Sequence, residues 1–360
     1  MQRTLPWDLS AAYAKKAWQK RVFLGLGLLA VLLAFVLSLM VGSSWLSIPE
    51  SVMALFGQGA SSSVRIVQAI RLPRALAALL AGAGLALAGL IMQSTLGNIM
   101  ASPSVLGVSN AAVFGANVSI IAFAGGFLST GHNLDNYGTN ANPFATSAIA
   151  FVFALLSVLL ILGLSRLRSF SPNTVILAGL ALGAVWTAGT TILQFYATDV
   201  GLSAAVIWSF GDLGRATFTT DWIVLAVVGI SGVFFYLLRY KYNALLNGGD
   251  IASSLGVRVD WLRFFSLLIA SLLTAVCVSF FGIIGFVGLI CPHAMRRIVG
   301  NDHRFLIPGS MLAGSFLLLL SDVLSRVIAN GSALPVGAIT ALLGAPFFLY
   351  LIFAKEGERS

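Results

Sequence analysis

Read for hydrophobic pattern alone, the chain alternates long apolar runs with short polar breaks. Runs near the ~20 residues that a bilayer-spanning helix needs lie at 22–42, 74–93, 105–125, 145–165, 174–196, 222–239, 306–328 and 335–354. One further run, 264–292, holds 29 residues, too many for one span and too few for two full ones. Arg258 and Arg263 precede it, and Arg296, Arg297 and Arg304 follow it. Basic loops gather on the cytoplasmic side, so with both clusters there the run must leave and return. Gly282, Gly285 and Gly288 offer the bend. The return helix is short, and its ends need cover from protein or a water-filled cavity. The pattern predicts an all-α polytopic membrane protein of about ten transmembrane helices, both termini cytoplasmic. Residues 1–21 and 355–360 are tails, and 22–354 is one membrane domain.

Charge agrees with this topology. Of 21 Lys and Arg, sixteen fall in predicted inside segments, and five, Arg65, Arg71, Arg74, Arg215 and Arg326, fall outside. The alternative with a single span at 264–292 would put the Arg296–Arg304 cluster outside, against that bias. The net charge of +9 therefore reads as orientation and needs no nucleic-acid partner. Composition sets the class: 58% of residues are hydrophobic and 9% charged, with a mean hydropathy of +0.96, against about 25% charged in soluble domains.

The remaining features are weaker. Lys15, Lys16, Lys20 and Arg21 precede the first span, and Trp7 and Trp18 suit a segment at the membrane surface; a disordered tail reads equally well. The first apolar run is too long for a cleavable signal. Gly84 with Ala88, and Gly179 with Gly183, are small residues at helical spacing that let helices approach closely. Loop 126–144, rich in Gly, Asn, Ser and Thr, is predicted outside and carries His132. Cys277 and Cys291 read as small buried hydrophobes. There is no phosphate-binding G-x-x-x-x-G-K-[ST] loop and no H-E-x-x-H, and the three histidines are scattered. The chain is not expected to be an enzyme, to bind ATP, or to hold a metal or other cofactor.

Few charges lie within the apolar runs. Asp322 and Arg326 stand four apart, share a helix face and can pair. An intramembrane acid is a functional candidate; near a span end it serves equally well as a structural pair. Arg71 and Arg74 flank Pro73 at the predicted outer start of the second span. Pro is tolerated in a first turn, which would place Arg71 just before the helix and Arg74 within its first turn, both at the water interface. They can snorkel to headgroups or meet carboxylates of an acidic partner.

The stretch Arg71–Asn110, RLPRALAALLAGAGLALAGLIMQSTLGNIMASPSVLGVSN, closely resembles the early spans of the FecCD-like permeases of ABC importers for iron–siderophore complexes, haem and vitamin B12. GIIGFVGLICPHAMRRIVGNDHRFLIPGS (282–310) resembles the late signature of that family, and LPVGAITALLGAPFFLYL (334–351) its last span. The resemblance covers roughly 45–354. It implies a second permease subunit, as homodimer or paralogue, two separate ATPase subunits and an extracytoplasmic substrate-binding protein, in a bacterial or archaeal cytoplasmic membrane. It implies that Arg71, Arg74 and Arg326 dock the binding protein. It also implies that Asp250, Ala252, Ser253, Ser254, Leu255 and Gly256 form the loop coupling to the ATPase, and that Ser171, Pro172 and Asn173 lie at a cytoplasmic gate. Ser253 stands where the pattern usually has arginine, and Asn98-Ile99-Met100-Ala101 replaces N-P-L-A. The alternative function is a stand-alone ion-coupled secondary transporter, although mid-membrane acids are few.

Overall fold

The computed structural model describes residues 6–42, 46–104, 106–123, 142–166, 172–328 and 334–353. Its helices are α1 (Pro6–Met40), α2 (Ile48–Leu55), α3 (Ser61–Leu96), α4 (Val108–Phe123), α5 (Pro143–Arg166), α6 (Pro172–Phe195), α7 (Asp199–Ser209), α8 (Phe218–Leu237), α9 (Arg239–Leu245), α10 (Gly249–Ser254), α11 (Val259–Phe281), α12 (Val287–Val299), α13 (His303–Ile328) and α14 (Val336–Phe353). Each predicted apolar run falls on a helix. Among the described residues, seven helices are long and apolar enough to cross a membrane: α1, α3, α5, α6, α8, α11 and α13. Helices α4 and α14 are shorter.

Helix α3 is the axis of the bundle. Its apolar window is 89% buried, against 22% for those of α1 and α6. It packs against α13, α11, α12 and α8. Ala and Gly on every face make that possible, because lipid supplies no hydrophobic drive between helices and close packing must do the work. A Cβ on Gly82 would overlap the Gly314 carbonyl of α13, and one on Gly89 the Gly288 carbonyl of α12. The predicted small pairs also pack: Gly84 faces Val228, Leu273 and Cys277, while Gly179 and Gly183 receive Gly107. Both cysteines are free and buried.

The predicted bend in the long run is present; of the three expected glycines Gly282 makes it, together with Phe286. Gly282 takes φ 75° at the end of α11, and Phe286, a non-glycine, takes φ 66° before α12. Gly285 needs no positive φ, and Gly288 lies inside α12, where its small size admits Gly89. Pro292 removes the N–H that would serve the Gly288 carbonyl four residues back. Gln93 of α3 supplies a donor instead, its Nε2 lying 3.4 Å from the Gly288 carbonyl and 3.2 Å from that of Leu289.

Two expectations are corrected. The segment before the first span is neither a surface segment apart from it nor a disordered tail: from Pro6 it is one helix with the span, 35 residues long. At 1.5 Å per residue it reaches about 52 Å, beyond the ~30 Å hydrocarbon core. Its Ala- and Lys-rich sequence favours helix. The second helix begins at Ser61, well before Arg71, and passes through a widened turn at Ile66–Arg71 in which the Leu72 N–H bonds the Val67 carbonyl. That turn directly precedes Pro73, whose ring would otherwise meet the carbonyl four residues back.

We predict that Gly89→Ala destabilises the detergent-solubilised protein by about 1–3 kcal/mol through overpacking. Gly163→Ala, with nothing within 4 Å of the added methyl, should change it by under about 0.5 kcal/mol. Thermal unfolding of both variants checks this, and equal melting would remove α3 from its central role.

Candidate functional site

At one end of the bundle the last carbonyls of α1 point into protein. A helix leaves its final carbonyls without intrahelical donors, and their dipole end is negative. Two arginines from other helices fill the need. Arg71 Nη1 donates to the carbonyls of Leu39 and Met40, each at 2.8 Å. Arg326 Nη1 donates to Val41 at 2.6 Å and Ser38 at 3.0 Å, and its Nη2 to Ser38 Oγ at 2.7 Å.

Asp322 holds this assembly together. Its fully buried carboxylate takes Arg74 Nε on one oxygen at 2.6 Å and Arg326 Nη2 on the other at 2.7 Å. Arg74 Nη2 also reaches Ser325 Oγ at 3.4 Å. The predicted Asp322–Arg326 pair is thus present, and Arg74 is a second cation on the same acid. The expected water-interface placement of Arg71 and Arg74 is corrected: they are 4% and 9% exposed and lie within a continuous helix. Arg71 faces a helix C-terminus, where the dipole favours a cation.

Arg215 follows the same rule nearby. Its Nη2 donates to the Ile207 and Trp208 carbonyls that end α7, at 3.0 and 3.2 Å. Burial lowers its pKa, and Asp212 opposes that shift. Asp212 Oδ1 accepts the Gly214 N–H at 2.7 Å, and Arg74 Nη1 lies against Gly214. Neither Asp212 nor Arg215 stood out in sequence as part of this cluster. Their acid-then-basic spacing around Gly214 was the available signal.

At the opposite end of the bundle, loop 246–258 carries α10. Asp250 lies in its first turn, where an acid suits the dipole. Gly256, at φ 81°, ends the helix: its N–H bonds the Ser253 carbonyl, and the Val257 N–H bonds that of Ala252. Ser253 and Ser254 return their hydroxyls to carbonyls four residues back, those of Gly249 and Asp250. Ala252 is buried as the foot of the turn, while Ile251 and Leu255 are 52% and 68% exposed. The loop thus presents two aliphatic side chains on a well-capped helical turn. Of the residues expected at a cytoplasmic gate, Pro172 starts α6 half-buried and Asn173 is exposed; Ser171 lies outside the described residues, as do His132 and 126–141 of the loop predicted outside.

A second buried network at this end was missed. Asn243 Oδ1 accepts from His303 Nδ1 at 2.9 Å, and Asn243 Nδ2 donates to Asp302 Oδ1 at 2.9 Å. Ser94 Oγ lies 2.8 Å from His303 Nε2 and accepts from Arg296 Nη2 at 3.0 Å. The chain closes with the His303 proton on Nδ1. It ties α9, just ahead of α10, to α3, α12 and α13, across separations of 60 to 209 residues that no local pattern reveals.

A helical bundle with its charges paired inside and long apolar faces outside is a multi-pass membrane protein. Comparison with known proteins specifies it further. A profile of the FecCD transport family matches residues 29–354. A Methanocaldococcus jannaschii protein bearing the name of an ABC transporter permease is 46% identical over 336 residues, covering 93% of this chain and 95% of its own length. The iron(3+)-hydroxamate import system permease of Bacillus subtilis is 34% identical, covering 90% and 94%. A solved metal-chelate type ABC transporter, caught inward-facing, superposes with a TM-score of 0.80 at 28% identity, over 93% of this chain and 100% of that one. The chain belongs to the FecCD transport family and is a permease of the ABC-importer kind.

We predict that Asp322→Asn costs about 3–5 kcal/mol, because it leaves two guanidiniums buried without their counter-charge. Thermal or denaturant unfolding checks this. A loss under about 1 kcal/mol would mean the carboxylate does not hold the helix ends.

Proposed function

We propose that this chain is one of two permease subunits of a binding-protein-dependent importer in a bacterial or archaeal cytoplasmic membrane. It moves an iron–siderophore, haem or cobalamin-type ligand inward. Two separate ATPase subunits power it, and an extracytoplasmic binding protein delivers the ligand. The relatives named for iron-hydroxamate and metal-chelate transport support the ligand class. The exposed α10 turn is the observation that carries the reading: Ile251 and Leu255, left uncovered beside a buried Ala252, suit an apolar groove on a soluble partner. The second permease subunit is supported by α6. Asn110, Thr187 and Thr191, bonded within the chain, line an open cleft of about 540 Å³ with Gly179 and Gly183, and small and hydroxyl residues of that kind let a facing helix pack closely. Pro172 and Asn173, with Ser171, then lie at the cytoplasmic gate of the shared pathway.

Arg71, Arg74 and Arg326 dock the binding protein in this reading. Arg74 and Arg326 share the Asp322 carboxylate and Arg71 bonds the end of α1, so these three arginines keep an excess of positive charge over the one acid they meet. The second reading, an ion-coupled transporter acting alone, draws on Asp221. This acid is buried in the first turn of α8, and neither carboxylate oxygen has a hydrogen-bond partner among the described residues.

Two experiments test these assignments. Leu255→Asp, at an exposed position, should cut co-purification of the ATPase and ATP-driven uptake about tenfold or more, as loss of a binding hot spot does. Its melting temperature should match wild type. Normal assembly and transport would remove α10 as the coupling element, and uptake by the chain alone, driven by an ion gradient, would favour the second reading. For docking, Arg71→Glu and Arg74→Glu should weaken binding-protein association, and wild-type association should fall as salt rises. Melting is read on the same samples because Arg71→Glu also removes the bonds to the end of α1 and Arg74→Glu the ion pair with Asp322. Unchanged affinity in folded variants would leave Arg71 as a helix cap and Arg74 as an internal ion pair alone.

A further inference from the structure

Beside the loop that carries α10, a groove of about 560 Å³ opens between the end of α8 and the start of α11. Its floor is apolar, built from Phe234, Leu238, Leu262 and Phe265. Its rim is basic: Lys241 and Arg258 line it from opposite sides. Neither cation forms an ion pair with another described residue. The acids nearest in sequence, Asp250 and Asp260, form no ion pair with them. Trp261 stands at the same rim, 60% exposed and stacked on Phe265 with ring centroids 5.3 Å apart.

These features select one kind of occupant. Two unpaired cations attract an anion. The apolar floor continues onto the exposed face of α8, where Val233 and Leu237 are 63% and 69% exposed, and it accepts hydrocarbon. An exposed Trp on a membrane helix beside basic residues marks the headgroup level, and basic clefts between transmembrane helices bind anionic headgroups. We propose that this groove is a binding site for an anionic phospholipid, with the phosphate between Lys241 and Arg258, the glycerol region against Trp261, and an acyl chain over Phe234 and Phe265.

Gly256 and Val257, which close the C-terminal end of α10, also line this groove. A lipid seated there braces the loop from the membrane side. This consequence for coupling rests on the function proposed above; the lipid site itself rests only on the groove and its charges.

The test uses the full-length chain purified in detergent and read by native mass spectrometry. It is titrated with phosphatidylglycerol or phosphatidylcholine of identical acyl chains. Wild type should retain phosphatidylglycerol about fivefold or more over phosphatidylcholine. Lys241→Gln with Arg258→Gln should bring the two lipids to parity, and the charge-conserving Lys241→Arg with Arg258→Lys should keep the preference. Millimolar inorganic phosphate should leave the bound lipid in place. Equal retention of both lipids by wild type, or an unchanged preference in the neutralised variant, overturns the proposal. Full displacement by inorganic phosphate would show a free-anion site and overturn it too. An intermolecular disulfide at Phe265→Cys in native membranes would show a second copy covering the groove, with the same result. Because none of these readouts involves an ATPase, the site can fail while the importer reading stands, and the reverse.

Discussion

The dependence of this structure runs through one carboxylate. Asp322 neutralises part of the charge on Arg74 and Arg326, and Arg326 in turn closes the end of α1. A helix end in a low-dielectric bundle leaves carbonyls that water cannot reach. Here guanidiniums, with their several donors in a fixed fork, satisfy those carbonyls and the acid at once. Helices α1, α3 and α13 are fixed to one another at that end by charge, and along their length by the small residues that bring α3 against α13.

Arginine caps on helix C-termini recur. Arg71 and Arg326 close α1, Arg215 closes α7, and Arg239 at the other end of the bundle donates to the Tyr236 carbonyl near the end of α8. The first three account for most of the five basic residues that the charge pattern predicts outside. They stand where helices end, and the dipole there favours a cation. Local need for donors outweighs the general charge bias.

Close to the Asp322 cluster, three non-helical breaks meet. The Asp212 N–H bonds the Phe281 carbonyl at 2.8 Å, and the Val336 N–H bonds that of Gly211 at 3.0 Å. A side chain on Gly211, Gly282 or Gly337 would strike a neighbouring backbone. The ends of α7 and α11 and the start of α14 are therefore joined backbone to backbone, which satisfies the groups that the breaks release. Because Arg74 lies against Gly214, the charge cluster and this junction form one contiguous end of the molecule.

The sequence by itself determined the membrane class, the apolar runs, the break within 264–292 and the Asp322–Arg326 pair. Each is written in contiguous residues or at one helical spacing, and each depends on local physics: bilayer length, charge bias and i,i+4 geometry. The family motifs were legible for the same reason. Only the tertiary structure decided what Arg71 and Arg74 do. The carbonyls served by Arg71 lie 31 and 32 residues earlier in the chain, and the acid partner of Arg74 lies 248 residues later. It also decided that Phe286 takes the left-handed turn and that His303 joins Asn243 to Ser94. These choices belong to groups that folding removes from water, and each buried donor or acceptor must be matched by whichever partner packing brings near, at any distance along the chain.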